Sequence, residues 1–276
     1  MTPTDAIRFE DGAAYERYMG KWSQSVAELF LDWLSPPPAW HWLDVGCGNG
    51  AFTEIVRERC APATLHGIDP SEAQLAFART RPVSRFAQFT AGDAMALPFP
   101  NDRFDAAVMP LVISFLPRPA AGVAEMARVV RPGGLVAAYI WDMAGGGFPY
   151  DLLHNELRAL GVAVPAPPSP DAARRNALGA LWTEAGLAGV ETREIEVQRT
   201  FDHFEDYWKT IFGAPSVGST LSGMGAEELA RLKGRLREKR PARHDGRLIF
   251  NAKANAVRGY VLGGSPSRAT GGPSVD

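Results

Sequence analysis

One turn constrains this chain more than any other feature. Leu43-Asp-Val-Gly-Cys-Gly-Asn-Gly50 closes the short apolar run 40–45 and opens a helix-like stretch over 51–59. Glycine is needed at such a turn because the backbone bends tightly and approaches a ligand where a Cβ would intrude. The same rhythm then repeats. Residues 64–68 read as a strand before Asp69-Pro-Ser71, with a helix over 71–80; residues 85–90 read as a strand before Ala91-Gly-Asp93. Residues 104–109 form a fourth strand, followed by a helix over 119–130, a turn at Arg131-Pro-Gly-Gly134 and a fifth strand over 135–141. Strands separated by helices of this length specify a parallel sheet with helices on both faces.

The flanks behave differently. Tyr15, Tyr18, Trp22, Val26, Leu29/Phe30 and Trp33 recur at steps of three and four, one helix face that Pro36-Pro-Pro38 stops. After Trp141 come a Gly145-Gly-Gly147 join, helices over 150–160, 172–185, 204–212 and 226–239, and a proline-rich stretch at 164–170. An alternating strand over 190–200 and a last one within 247–261 complete the pattern. The expected fold is α/β, a doubly wound, mostly parallel seven-stranded sheet with an added helical cap. The sheet domain is expected over 40–262, with cap insertions around 145–170 and 203–245. Residues 263–276, almost all small or turn-forming, read as a mobile tail.

Composition narrows the function. At 276 residues, the chain fits one large domain or a core with a smaller cap. Lys+Arg 29 against Asp+Glu 31 leaves a net charge of −2, which argues against nucleic acid as the main partner. Cys47 and Cys60 cannot build a disulfide framework, and the five histidines are scattered, so no metal site is expected. No stretch approaches the ~18 consecutive apolar residues of a membrane span. Residues 1–10 lack a basic start followed by an apolar run, so the expectation is a cytoplasmic protein.

The glycine turn by itself is ambiguous. Gly46-x-Gly48-x-x-Ala51 fits a dinucleotide fingerprint, and Asp69 stands near the ~20-residue offset of a ribose-binding carboxylate. Two carboxylates favour another ligand. Asp44, two residues before the first glycine, would disfavour a pyrophosphate but suits an ammonium or sulfonium. Asp93 ends the third strand, where an adenine amino group could be held.

Together, Asp44-Val-Gly-Cys-Gly-Asn-Gly50, Gly67-Ile-Asp-Pro-Ser71, 91–100 (AGDAMALPFP), Asp102-Arg-Phe-Asp105 and 125–134 (EMARVVRPGG) resemble a class I S-adenosylmethionine-dependent methyltransferase. The resemblance covers about residues 40–142 and is greatest to the type 11-like small-molecule group that includes the ubiquinone/menaquinone-biosynthesis C-methyltransferases. It implies a Rossmann-like methyltransferase fold and S-adenosyl-L-methionine as cofactor. Asp44, Gly46, Cys47, Gly48 and Gly50 would line the methionine end of that cofactor. Asp69 would take the ribose hydroxyls, with Pro70 beside the adenine, and Asp93 and the Ala94 amide would read the adenine edge. Met109 and Leu111 would line the channel to the methyl group. In that group the N-terminal helix (residues 1–39 here) is a lid, and Tyr18 could reach the methionine carboxylate. The capping alternative for Asp69 and Asp93 stands beside these roles. Cys47 reads as a small loop residue rather than a nucleophile.

After the fourth strand stands Met109-Pro-Leu-Val112, not the Asn/Asp-Pro-Pro-Tyr/Phe of many DNA and protein-amide methyltransferases. That departure points to a small organic methyl acceptor, aromatic or otherwise apolar. If the acceptor holds a proton, the base candidates are Asp142, His154, His203 and Tyr207. Tyr207 and Trp208, with the apolar residues of 150–160, are expected to roof a pocket over the strand ends; packing on the sheet or a homodimer contact is the alternative. The basic run from Arg231 to Arg247 reads as a solvated helix face, and an anion site is the second reading. Two rival functions stay open: an NAD(P)-dependent oxidoreductase, and an S-adenosylmethionine-binding regulator without turnover.

Overall fold

Strand pairing follows the expected alternation. The structure is a computed structural model and describes residues 12–214 and 217–263. In chain order the elements are α1 (Gly12–Leu34), β1 (His41–Val45), α2 (Ala51–Cys60), β2 (Thr64–Asp69), α3 (Glu72–Ala78), β3 (Ala87–Ala91), β4 (Phe104–Pro110) and α4 (Pro119–Val129). Then follow β5 (Val130–Trp141), α5 (Asp151–Ala159), α6 (Arg175–Glu184), β6 (Ala188–Phe201), α7 (Phe204–Ile211), α8 (Gly218–Gly223), α9 (Ala226–Lys239) and β7 (Leu248–Tyr260). The seven strands lie in the order β3-β2-β1-β4-β5-β7-β6. Strands β1 to β5 pair in parallel, and β7 runs antiparallel to both β5 and β6.

The two-residue period of β5 divides the core. Leu135, Ala137, Tyr139 and Trp141 face one apolar layer, and Val136, Ala138 and Ile140 the other. The first layer holds α1 through Tyr18, Trp22, Val26, Phe30 and Leu34, a stripe at every fourth residue. Phe30 meets the Tyr139 ring edge-on at 4.8 Å. The second layer holds α4 and α6, and Trp182 of α6 donates its indole N–H to the Val136 carbonyl (2.8 Å). Burying a side chain of this size contributes roughly 1.5–3 kcal/mol. Among the described residues no helix is long and apolar enough to cross a membrane.

Three departures have local causes. Pro82 opens a 3-10 turn over Pro82–Arg85, so β3 begins later than the apolar run suggests. The turn at 131–134 lies inside β5 as an excursion: the register jumps from Phe104↔Val130 to Ala106↔Leu135, with Gly133 at φ 76°. The short α8 carries too few apolar residues to show a period. Beyond Trp141↔Ala254, β7 continues to Leu248 paired with β6 alone, and α7 packs on this two-stranded ribbon. Residues 1–11 lie outside the described residues, as does the Tyr15 side chain, and so does the expected tail apart from Gly263.

Candidate active site

A cavity of about 490 Å³ opens at the carboxyl ends of the central strands. This is where open α/β sheets hold ligands. The glycine turn forms one wall. Gly46 and Cys47 both donate their backbone N–H to the Ile68 carbonyl (2.7 and 3.0 Å), which folds the loop back over β2. Gly46 lies at φ 73°, and a Cβ there would stand 2.4 Å from the Val112 side chain.

Three carboxylates border the cavity, each in a different setting. Asp44 is only 1% exposed. Its Oδ2 accepts a hydrogen bond from the Thr53 hydroxyl at 2.6 Å, while Oδ1 is buried without a partner. Burial raises its pKa to about 7, against the opposing pull of Thr53, with the Asp69 charge adding to the rise. Asp69, at the end of β2, accepts from the Gly48 amide (2.9 Å) and the Ser71 amide (2.8 Å). Burial raises it as well, and those two amides oppose the shift. The cap of α3 is Ser71, so Asp69 braces the loop and is not the helix cap. Asp93 is exposed and accepts from the Met95 amide at 2.8 Å.

Gly46, Cys47, Gly48, Pro70, Ala94 and Leu111 border the same cavity. Leu111 lies at φ 61°, a left-handed conformation that costs a leucine energy and turns the chain sharply out of β4. The Cys47 thiol is pushed well above its ordinary range by burial and by Asp44, so it is no nucleophile. Tyr18 of α1 borders the cavity and stacks on Tyr150, ring centroids 4.0 Å apart. Helix α1 is tied down beside it. Arg81 reaches Glu16 of α1, Glu54 (2.8 Å) and the Asn49 carbonyl (2.7 Å), while the Asn49 side chain donates to Glu16 (3.1 Å).

The far end is apolar and aromatic: Tyr139, Trp141, Phe148, His154, Pro165 and Pro167. His154 is 3% exposed, stacks on Phe148 at 4.9 Å and is lowered to about 4, first by burial and then by Arg158. It is therefore a neutral imidazole at physiological pH.

Several expected residues lie elsewhere. Met109 packs into the α4 layer, because the strand period turns it away from the cavity and the chain reaches the opening only at Pro110 and Leu111. Gly50 is not in the lining; it starts α2 at φ 78°, close against Ala78 and Phe89. Asp142 accepts from the Gly145 amide (3.0 Å) and organises the glycine turn after β5. His203 is exposed at the start of α7, where its backbone N–H donates to Asp206 (3.2 Å). Tyr207 is buried on the ribbon, stacked on Phe250 at 4.6 Å. Burial drives its phenol far above the ordinary range. Trp208 is half-buried between Phe204 and Phe212, so α7 does not roof the cavity and only the α5 side reaches it. Phe148, Pro165 and Pro167 were not anticipated; the proline-rich stretch was their one visible signal.

Residues 43–138 match the methyltransferase domain family. Over these residues the chain is a methyltransferase domain. Over 92 residues the chain is 38% identical to a fatty-acid O-methyltransferase of Mycolicibacterium smegmatis, covering 33% of this chain and 34% of that protein. Over 109 residues it is 38% identical to a ubiquinone/menaquinone biosynthesis C-methyltransferase of Paracoccus denitrificans, covering 38% and 43%. The chain thus spans less than half the length of these curated relatives. Among solved structures, a Haemonchus contortus phosphoethanolamine N-methyltransferase 2 in complex with S-adenosyl-L-methionine superposes with a TM-score of 0.57. That match has 15% identity and covers 94% of this chain and 61% of that one, so it speaks to the fold. Asp44, the glycine turn, Asp69 and Asp93 all lie within the matched residues.

Proposed function

We propose that the protein transfers the methyl group of S-adenosylmethionine to a small organic acceptor with an apolar, aromatic body. The observation that carries this is Asp44, a buried carboxylate beside the glycine turn with one oxygen unmatched by the protein. A cationic donor is the strongest match for such an atom, and the α-ammonium of the cofactor would supply one. A dinucleotide would instead bring a pyrophosphate against Asp44 and Asp69, two like charges at close range.

The residues fit the cofactor in sequence order. Asp44 and the Gly46–Gly48 turn take the methionine end, with Tyr18 on its carboxylate, and Asp69 takes the ribose hydroxyls. Pro70 flanks the adenine, whose edge Asp93 and the Ala94 amide read. Leu111 and Val112 separate this end from the acceptor. When bound, the cofactor supplies a methyl group on a sulfonium whose leaving group is already good. The chain's own work is then alignment and exclusion of water, which the α1 lid and its Arg81 tie perform. His154, of the four base candidates, borders the cavity. A neutral hydroxyl becomes strongly acidic as it is methylated, so even a weakly basic imidazole can take its proton. A small acceptor in a cytoplasmic setting accords with the net charge of −2 and the apolar far wall.

Calorimetry tests the reading. S-adenosylmethionine should bind in the micromolar range and NAD(H) should not compete. Tight NAD(H) binding with no heat from S-adenosylmethionine overturns it. Binding without S-adenosylhomocysteine release across a set of aromatic acceptors favours a non-catalytic role.

A further inference from the structure

The charges around the cavity are lopsided. Its polar end has Asp44, Asp69 and Asp93, and among the described residues no lysine or arginine borders it anywhere. The one imidazole in the lining, His154, is held neutral by burial. Nearby cations are exposed or committed elsewhere: Arg158, which helps to lower His154, is exposed and donates to Asn155 (3.1 Å). Arg81 serves Glu16 and Glu54. Arg199 donates to the Tyr18 carbonyl (3.2 Å) and the Tyr150 hydroxyl (3.3 Å) and lies over the Phe201 ring. The basic run of α9 is spent on the cap: Lys233 and Arg237 pair with Glu205, and Arg235 and Lys239 with the buried Glu156.

We infer that the acceptor site selects an uncharged molecule and turns away carboxylates, an assignment that rests on the methyl-transfer reading of the same cavity. A carboxylate entering the wall of Tyr139, Trp141, Phe148 and the two prolines would leave water with no counter-charge among the described lining residues to meet it. The three acidic residues of the polar end would also repel it. An ammonium acceptor would face the cofactor's own positive sulfonium. A neutral acceptor pays neither cost, and its reacting atom is then a hydroxyl oxygen, an enolisable carbon or an unprotonated nitrogen.

The test uses the full chain saturated with S-adenosylhomocysteine and three naphthalenes of one shape: 2-acetylnaphthalene, 2-naphthoate and 2-(aminomethyl)naphthalene. Titration calorimetry should find the neutral ketone bound at least about tenfold more tightly than the carboxylate; with sinefungin, whose ammonium stands where the sulfonium would, in place of S-adenosylhomocysteine, the ketone should also bind more tightly than the ammonium. Phe148→Arg, which adds a cation to the apolar wall, should narrow or reverse the gap between ketone and carboxylate. Equal or tighter binding of naphthoate to the unmodified protein overturns the inference. Loss of that binding in Arg199→Gln would then identify the cation responsible. If none of the three binds at about 1 mM, the apolar-acceptor assignment falls too. Failure of S-adenosylhomocysteine itself to bind would instead sink the methyl-transfer reading.

Discussion

On the proposed reading, with the cofactor's ammonium on Asp44, binding is a proton-coupled event with a defined sign. Without ligand the Asp44 carboxyl titrates at about 7, because burial penalises the charged form. An ammonium against the unmatched Oδ1 favours the charged form and should return the group towards its ordinary value of 3.8. Binding then releases a proton wherever the free protein is protonated: about 0.5 per site at pH 7 and about 0.9 at pH 6. Affinity should hold a plateau above pH 7 and fall about tenfold per unit below it, roughly a hundredfold by pH 5. Stability of the free protein has the opposite sign. A raised folded pKa contributes stability that is fully present below 3.8 and lost as pH rises through about 7. The loss is about 4 kcal/mol at most across that window. Calorimetry of S-adenosylhomocysteine at pH 6, in two buffers of different ionisation enthalpy, counts the protons. The ligand's own α-amino group is still protonated at that pH. Asp44→Asn should bind more weakly but with an affinity independent of pH between 5 and 7. Equal heats in both buffers, with flat affinity over that range in the unmodified protein, would refute the linkage.

Thr53→Val removes the hydroxyl that holds Asp44 ionised, so the midpoint of the affinity profile should move up by about 1–2 pH units. An unmoved midpoint would mean the 2.6 Å bond does not act on the titration. Asp69→Ala should cost roughly 1.5–3 kcal/mol of cofactor affinity. It should also cost about 1–2 kcal/mol of stability, since the Gly48 and Ser71 amides lose their acceptor; intact affinity with a large drop in melting temperature would leave Asp69 a bracing role alone. Gly46→Ala should destabilise by about 1–3 kcal/mol, from its left-handed φ and the Val112 contact, and chemical denaturation measures it.

How far the sequence could be read depended on how far apart the cooperating residues lie. Strands β1 to β5 were legible because each closes a local unit: an apolar run, a turn and a helix face within thirty or so residues. The carboxylates at the strand ends were legible for the same reason: Asp44, Asp69 and Asp93 each stand at or just past the end of a strand that announces itself, and all three border the cavity. Met109 marks the limit. It stands beside the right residues in sequence, but the two-residue period turns it into the α4 layer, and Leu111 reaches the cavity only through a positive φ that no residue pattern signals. The apolar end of the cavity shows the same limit at greater range. Tyr139, Phe148, His154 and Pro167 come from four different segments, and none carries a local pattern that distinguishes a ligand wall from ordinary core.

The misreading of α7 has a specific physical origin. Tyr207, Trp208, Ile211 and Phe212 carry more apolar surface than a peripheral helix on a flat sheet needs, and a ligand pocket was one way to use it. The sheet is not flat there. Because β6 and β7 run on past the end of β5, their ribbon presents Phe201 and Phe250, and Tyr207 stacks on Phe250 while meeting Phe201 edge-on at 5.5 Å. Ile211 is fully buried in the same layer. Trp208, half-buried, spends its ring on Phe204, Phe212 and the Lys233 ammonium, 5.4 Å from its centroid. The surplus is thus consumed by an antiparallel extension that only long-range pairing creates. What remains for a ligand is the narrower face of α5, where His154 and its neighbour Phe148 meet the cavity. Substitutions in α7 should therefore register in stability, and substitutions around His154 in binding.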